Sequence, residues 1–159
     1  MAEFKIISIA TVFNERTEPI DDNWGSIISE IKLENHIPTE AIDGIEQFSH
    51  LEIFYIFHLA YQKNNPILGS GHPRENLAYP KTGIFAQRKK DRPNFIGSTI
   101  VKLIKKENRS LFVQYLDAIN ETPVIDIKPV VKEFLPNEET KQPAWMGDLM
   151  KNYYTKLAD

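Results

Sequence analysis

The chain has 159 residues, 42% of them hydrophobic, with a formal net charge of −3 and no cysteine. That length suits one globular domain with a sizeable core, residues 1–159 as a single unit. The missing cysteine excludes disulfides, thiolate nucleophiles, cysteine-ligated zinc and iron–sulfur clusters, and it fits a reducing compartment. A negative balance also argues against a surface that coats nucleic acid, so any contact with phosphates must be local. Residues 1–13 lack a basic flank and a cleavage site, and no apolar run approaches the ~20 residues that cross a bilayer. The expectation is a cytoplasmic protein with no membrane contact.

Taken along the chain, residues 4–13 are rich in Ile and Val and read as a first strand. Residues 25–33 read as a second, with Ile27, Ser29, Ile31 and Leu33 on one face and Ile28, Glu30 and Lys32 on the other. A short helix is predicted over 39–48, capped by Thr39 and apolar along Ala41, Ile42, Ile45 and Phe48. Residues 51–60 form a continuous apolar and aromatic run, too short for a helix, and read as a buried strand. A polar loop spans 62–80, and loops that long in small domains are either functional or mobile. Strands are predicted over 82–88, 98–105, 110–118 and 124–131. A terminal helix is predicted over 144–157, where Trp145, Leu149, Tyr153 and Leu157 recur at helical spacing. Docking on the core is favoured for that stripe over facing a ligand or a second copy.

These elements predict a mainly β fold: a small antiparallel β-barrel of about seven strands, or a sandwich, with a short helix and a C-terminal helix. The barrel core covers about 4–131 and the helical extension about 136–159. No Gly-x-Gly-x-x-Gly turn joins a strand to a helix, so the usual nucleotide cradle is missing. The four histidines, His36, His50, His58 and His72, lack ligand spacing, and no metal is predicted.

The segment from Gly83 to Gly97 carries the most chemistry. Arg88 and Arg92 supply planar cationic forks, Pro93 fixes the turn, and Gly97 allows a close approach. A well-made basic hairpin tip would have the same composition. Lys81, Lys89 and Lys90 thicken this patch, and Lys102, Lys105, Lys106 and Arg109 follow it, as a solvated face or a phosphate contact. Asp126 and Lys128 share a strand face, where they form an ion pair or help place Arg92.

Three blocks in order, 48–58, 83–98 and 116–129, resemble the TsaA-like β-barrel family. The resemblance rests on Gly83, Ile84, Phe85, Ala86 and Arg88, then Arg92, Pro93, Asn94, Ile96, Gly97 and Ser98, then Leu116, Asp117 and the run from Thr122 to Pro129. That family includes S-adenosylmethionine-dependent methyltransferases acting on N6-threonylcarbamoyladenosine of tRNA. The resemblance implies a dimeric barrel, S-adenosyl-L-methionine as cofactor and tRNA as substrate. Arg88 lies at a position that contacts the cofactor, against the alternative of an ion pair with Asp91 or Glu133. Phe57 and His58 resemble another contact position. Leu116 and Asp117 resemble a strand end beside the adenine and ribose, or Asp117 merely closes a turn. Asp22, Asn23 and Trp24 correspond by location alone, although acids beside an indole suit a cation such as a sulfonium. Arg92, Asn94 and Asp126 are the candidates to orient the acceptor and take its proton. Phe95 replaces the family's usual Pro, Asn120 and Glu121 its usual Asp-Gly, and Val130 an aromatic, so cofactor binding transfers better than substrate identity. A small-molecule methyltransferase and a non-catalytic, adenosine-binding dimeric module remain as alternatives.

Overall fold

Alternating burial along short strands decides the architecture. A computed structural model describes residues 2–155. Strand β1 (Ala10–Phe13) buries Ala10 and Val12, and β2 (Ile28–Leu33) buries Ser29, Ile31 and Leu33. Strand β3 (His50–Ile56) turns Leu51, Ile53 and Tyr55 inward. A two-residue ladder joins β4 (Ser70–Gly71) to β5 (Thr82–Gly83). Strands β6 (Ile96–Glu107), β7 (Ser110–Gln114) and β8 (Pro123–Pro129) complete the set.

The barrel closes in the order β1-β2-β7-β6-β3-β8, every neighbour antiparallel and β1 returning to β8. Closure removes exposed sheet edges. The interior holds Val12, Ile31, Leu51, Ile53, Val101, Leu111, Val113, Leu116 and Val124, all without solvent exposure. Each such side chain contributes roughly 1.5–3 kcal/mol relative to exposure. The pairing of β3 with β8 slips between Phe54 and Tyr55, leaving Ile125 unpaired. That bulge lies next to Tyr55, a residue of the site described below.

The mainly β expectation holds, with six barrel strands where about seven were expected. The first strand begins only at Ala10, because Phe4, Ile6 and Ile7 are exposed and reach no neighbouring strand. The helix expected over 39–48 is two 3-10 turns, Thr39–Ile42 and Ile45–Gln47, separated by Gly44 at φ 79°. Thr39 makes no cap; its hydroxyl accepts from Arg109 Nη1 at 3.1 Å.

The apolar run 51–60 is strand only to Ile56. The chain then coils into α1 (His58–Lys63), whose first turn is closed by the Tyr61 N–H donating to the Phe57 carbonyl. The strand expected over 82–88 ends at Gly83 and becomes the 3-10 turn Ile84–Ala86. There the buried Gln87 amide donates to the Gly71 and Thr82 carbonyls, at 2.9 and 3.0 Å, and ties the long loop down. Strand β7 stops at Gln114, one residue before Tyr115 at φ 75°. The terminal helix, α2 (Ala144–Met150), has no buried residue and does not dock on the core; Leu157 lies outside the described residues.

Candidate functional site

Tyr55 and Thr99 project into the barrel from adjacent strands, β3 and β6, and reach its polar end. There the Tyr55 hydroxyl donates to Asp117 Oδ1 at 2.7 Å, and the Thr99 hydroxyl donates to the same oxygen. A third hydroxyl, from Tyr153 beyond α2, donates to Asp117 Oδ2. Burial, reinforced by the Asp117 charge, pushes Tyr55 and Tyr153 well above the ordinary phenol range, so both stay protonated donors.

Asp117 faces an open cleft of about 1700 Å³ bounded by β3, β6, α1, the 85–94 segment and the C-terminal segment. The cleft brings together Arg88, Arg92 and Asn94 from the signature, Phe57 and His58 from the start of α1, and Trp24. It does not take in Leu116, which is fully buried in the core, nor Asp22, Asn23 or Asp126. Asp126 stands opposite Phe54 on β8 and pairs with Lys128 at 3.5 Å, both half-exposed.

The signature forms a tight turn in which the Phe95 N–H donates to the Arg92 carbonyl at 3.0 Å. Phe95 has φ 54°, which a proline cannot adopt, so the turn is this chain's own. Phe95 is buried and packs edge-on against Tyr61. Arg88 Nη2 donates to the Ser98 carbonyl at 2.5 Å, and Arg92 Nη1 to the Gln87 carbonyl at 3.1 Å. Among the described residues neither guanidinium forms an ion pair, with Asp91, Glu133 or any other acid, so both charges are free for an anion. Glu121 takes φ 65°, the left-handed conformation that suits the glycine usual at that position, and its N–H donates to the Val12 carbonyl.

Around Trp24 the structure changes the expectation. The buried Arg16 lies 4.3 Å over the indole and donates to the Asp22 and Asn23 carbonyls at 2.7 and 3.0 Å. Arg74 grips the Asp22 carboxylate through two nitrogens, at 2.8 and 3.1 Å. The cations that this acidic, aromatic loop attracts are thus supplied by the protein itself. Arg74 sits at φ 50° inside the 62–80 loop and pins that loop beside the cleft. Three members of the later basic run are taken up by the protein: Lys105 pairs with Glu107, Lys106 with Asp43 and Glu46, and Arg109 donates to the Glu34 and Ile37 carbonyls.

His58 lies 3.3 Å from the Thr122 hydroxyl, and burial lowers its pKa below 6.5 against a smaller opposing effect of Glu121. Its folded pKa is depressed, so the unfolded chain takes up the proton first as pH falls. The stability held by neutral His58 is complete above about pH 6.5 and is lost as pH drops through the folded pKa. Urea unfolding of the His58→Gln variant should therefore show a flatter fall in stability between about pH 7 and pH 5 than the native chain shows. Parallel slopes would mean that His58 does not titrate differently on folding.

The sequence did not single out Tyr55, Thr99 or Arg74, and it placed Tyr153 on a stripe expected to dock on the core. A tyrosine in phase with inward-facing Leu51 and Ile53 was the available signal for the first, since a buried phenol needs a partner. Among the described residues no group of three or more His, Asp or Glu is placed to hold a metal ion, and no helix is long and apolar enough to cross a membrane.

Residues 8–134 match the family described as the tRNA-methyltransferase O N-terminal domain. A human protein named "tRNA (adenine(37)-N6)-methyltransferase" is 37% identical over 121 residues, which are 74% of this chain and 26% of that protein. A "Probable S-adenosyl-L-methionine-binding protein" of Methanothermobacter thermautotrophicus is 32% identical over 126 residues, 79% of this chain and 86% of that protein. The chain spans about a quarter of the length of the mammalian relatives it matches. A crystal structure of TrmO from Pseudomonas aeruginosa superposes with a TM-score of 0.70 at 24% identity, covering 88% of this chain and 62% of that one. That likeness establishes the shared fold.

Proposed function

The chain belongs to the tRNA-methyltransferase O N-terminal domain family, and on that premise we propose that it methylates the N6 nitrogen of threonylcarbamoyladenosine in tRNA, using S-adenosylmethionine. The observation behind this reading is the meeting, in one open cleft, of two guanidiniums that no acid neutralises among the described residues, a hydroxyl-bound carboxylate and aromatic side chains. These groups suit the cofactor's parts. Arg88 and Arg92 match its carboxylate, Asp117 its ribose hydroxyls, and Phe57 its adenine or sulfonium.

When bound, the cofactor supplies a methyl group already activated on sulfur. The chain's own task is alignment, which can remove on the order of 7–11 kcal/mol of a barrier without a dedicated nucleophile. Arg88 anchors the donor. Asn94, exposed at the turn, both donates and accepts and so orients the acceptor, with Arg92 beside it. Asp126 is turned toward Lys128 and stands off the cleft, whereas His58, kept neutral by burial, lines it and is placed to take the acceptor's proton. Lys90 on the rim, which neither role uses, suits a phosphate of an RNA.

Transfer RNA from cells lacking the protein should be digested and analysed by mass spectrometry. The expected result is loss of N6-methylated threonylcarbamoyladenosine, restored when the purified protein and cofactor are added to that RNA. A normal level in those cells rejects the acceptor. Cofactor binding with no methylated RNA would move the activity to another acceptor.

A further inference from the structure

The family match ends at residue 134, yet the segment beyond α2 forms a wall of the cleft. That segment is anchored as a strap along the 23–25 loop. The Asn23 N–H donates to the Asn152 carbonyl at 3.1 Å, the Trp24 N–H to the Tyr153 carbonyl at 2.8 Å, and Thr155 Oγ1 to Asn23 Oδ1 at 2.6 Å. The approach is so close that a Cβ on Gly25 would fall 1.9 Å from the Tyr154 carbonyl oxygen. Gly25 therefore fits the strap, and no larger residue does without moving it.

At the end of this strap the Tyr153 hydroxyl closes the set of donors around Asp117. One carboxylate oxygen is held from β3 and β6 by Tyr55 and Thr99, and the other from the strap by Tyr153. A carboxylate offers about four lone-pair positions, and three are filled from fixed elements, which leaves one direction for a further donor. We propose that the strap is part of the binding site and that Tyr153 is a positioning residue, turning the free lone pair of Asp117 toward a ribose hydroxyl of the bound cofactor. This rests on the cofactor reading above and extends it to residues outside the family match. Asp148, on α2 just ahead of the strap, accepts from the Tyr79 hydroxyl at 2.6 Å, so the long loop holds the helix that leads into the strap.

The test is calorimetry on the full chain with S-adenosylhomocysteine and its 2′-deoxy and 3′-deoxy analogues. The native protein should bind one deoxy analogue on the order of tenfold or more weakly, because its charged acceptor is left unpaired. In Tyr153→Phe that discrimination should shrink to about threefold or less, with thermal unfolding monitored alongside to show that the fold survives. Gly25→Ala displaces the strap without touching the cleft's polar groups and should reduce the discrimination in the same way. If it fails to fold, Tyr153→Phe decides alone. Full discrimination retained in Tyr153→Phe overturns the positioning role and leaves the cofactor reading intact. Tighter binding in that variant also overturns it, since the strap would then be a competitor for Asp117. No binding of S-adenosylhomocysteine by the native protein removes both readings.

Discussion

Arg88→Ala weakens S-adenosylmethionine binding by about 10–100-fold in the expected result, the range for losing a charge-assisted contact to a carboxylate, about 1.4–2.8 kcal/mol. Thermal unfolding should stay within about 2 °C, because an exposed side chain away from the core rarely moves stability by more than ~0.5 kcal/mol. The separation of binding from stability follows from what Arg88 touches. Its protein bonds run to the Ser98 carbonyl and hydroxyl at the edge of the cleft, and among the described residues no acid neutralises it. Arg88→Lys keeps the charge and loses the planar fork, so it should fall between the native chain and the alanine variant. Raising the salt concentration should narrow all three differences, since the contact is partly solvated. An affinity in Arg88→Ala equal to the native one would take Arg88 out of the site, and the cleft would lose the feature that ties its chemistry to an anionic ligand.

The barrel was legible because its signal is local. Ile27, Ser29, Ile31 and Leu33 alternate as a half-buried strand must, and the structure turns that same face inward. What the sequence hid was where strands end. The run from Leu51 to Ala60 is apolar apart from Glu52 and His58 and carries no Gly, Pro or side-chain cap at the change from strand to helix; the change is set by where the partners β6 and β8 stop pairing. Of the candidate site, Arg88, Arg92 and Asn94 were legible together because they fall within seven residues of one recognisable pattern, and all three line the cleft. The Asp117 cluster was half seen. Its carboxylate stood out as a charge at a strand end, whereas its three donors lie on β3, β6 and the strap, 62, 18 and 36 residues away. Only closure of the barrel brings them together. Trp145, Leu149 and Tyr153 were misassigned for a related reason: helical spacing identifies a shared face but not whether that face meets a core or a cleft. Asp22 and Asn23 were attractive as acids and amides beside an indole, and they proved to be partners of Arg74 and Arg16.

Gly97→Ala should destabilise the chain by roughly 1–3 kcal/mol, the usual cost of adding a methyl group to a packed interior. In thermal unfolding that corresponds to about 2–4 °C per kcal/mol for a chain of this size. In the sequence the glycine of the signature reads as room for a backbone or a ligand to come close, and the structure gives that room to the Tyr55 ring. Gly97 lies opposite Tyr55 in the β3–β6 register, and a Cβ there would fall 2.5 and 2.6 Å from Tyr55 Cε2 and Cζ and 3.0 Å from Phe57 Cζ. The Tyr55 ring cannot retreat cheaply, because it is 1% exposed and its hydroxyl is committed to Asp117. The substitution therefore acts twice: it strains the core, and it pulls one of the three donors off the carboxylate. Ligand binding should fall along with stability, unlike in Arg88→Ala. A double-mutant cycle isolates the cause. In a Tyr55→Leu background the colliding ring atoms are gone, so the methyl added by Gly97→Ala should cost less than in the native chain, with a coupling of at least about 0.5 kcal/mol. Equal costs in both backgrounds would show that the glycine is needed for its own backbone and not for the tyrosine that packs on it.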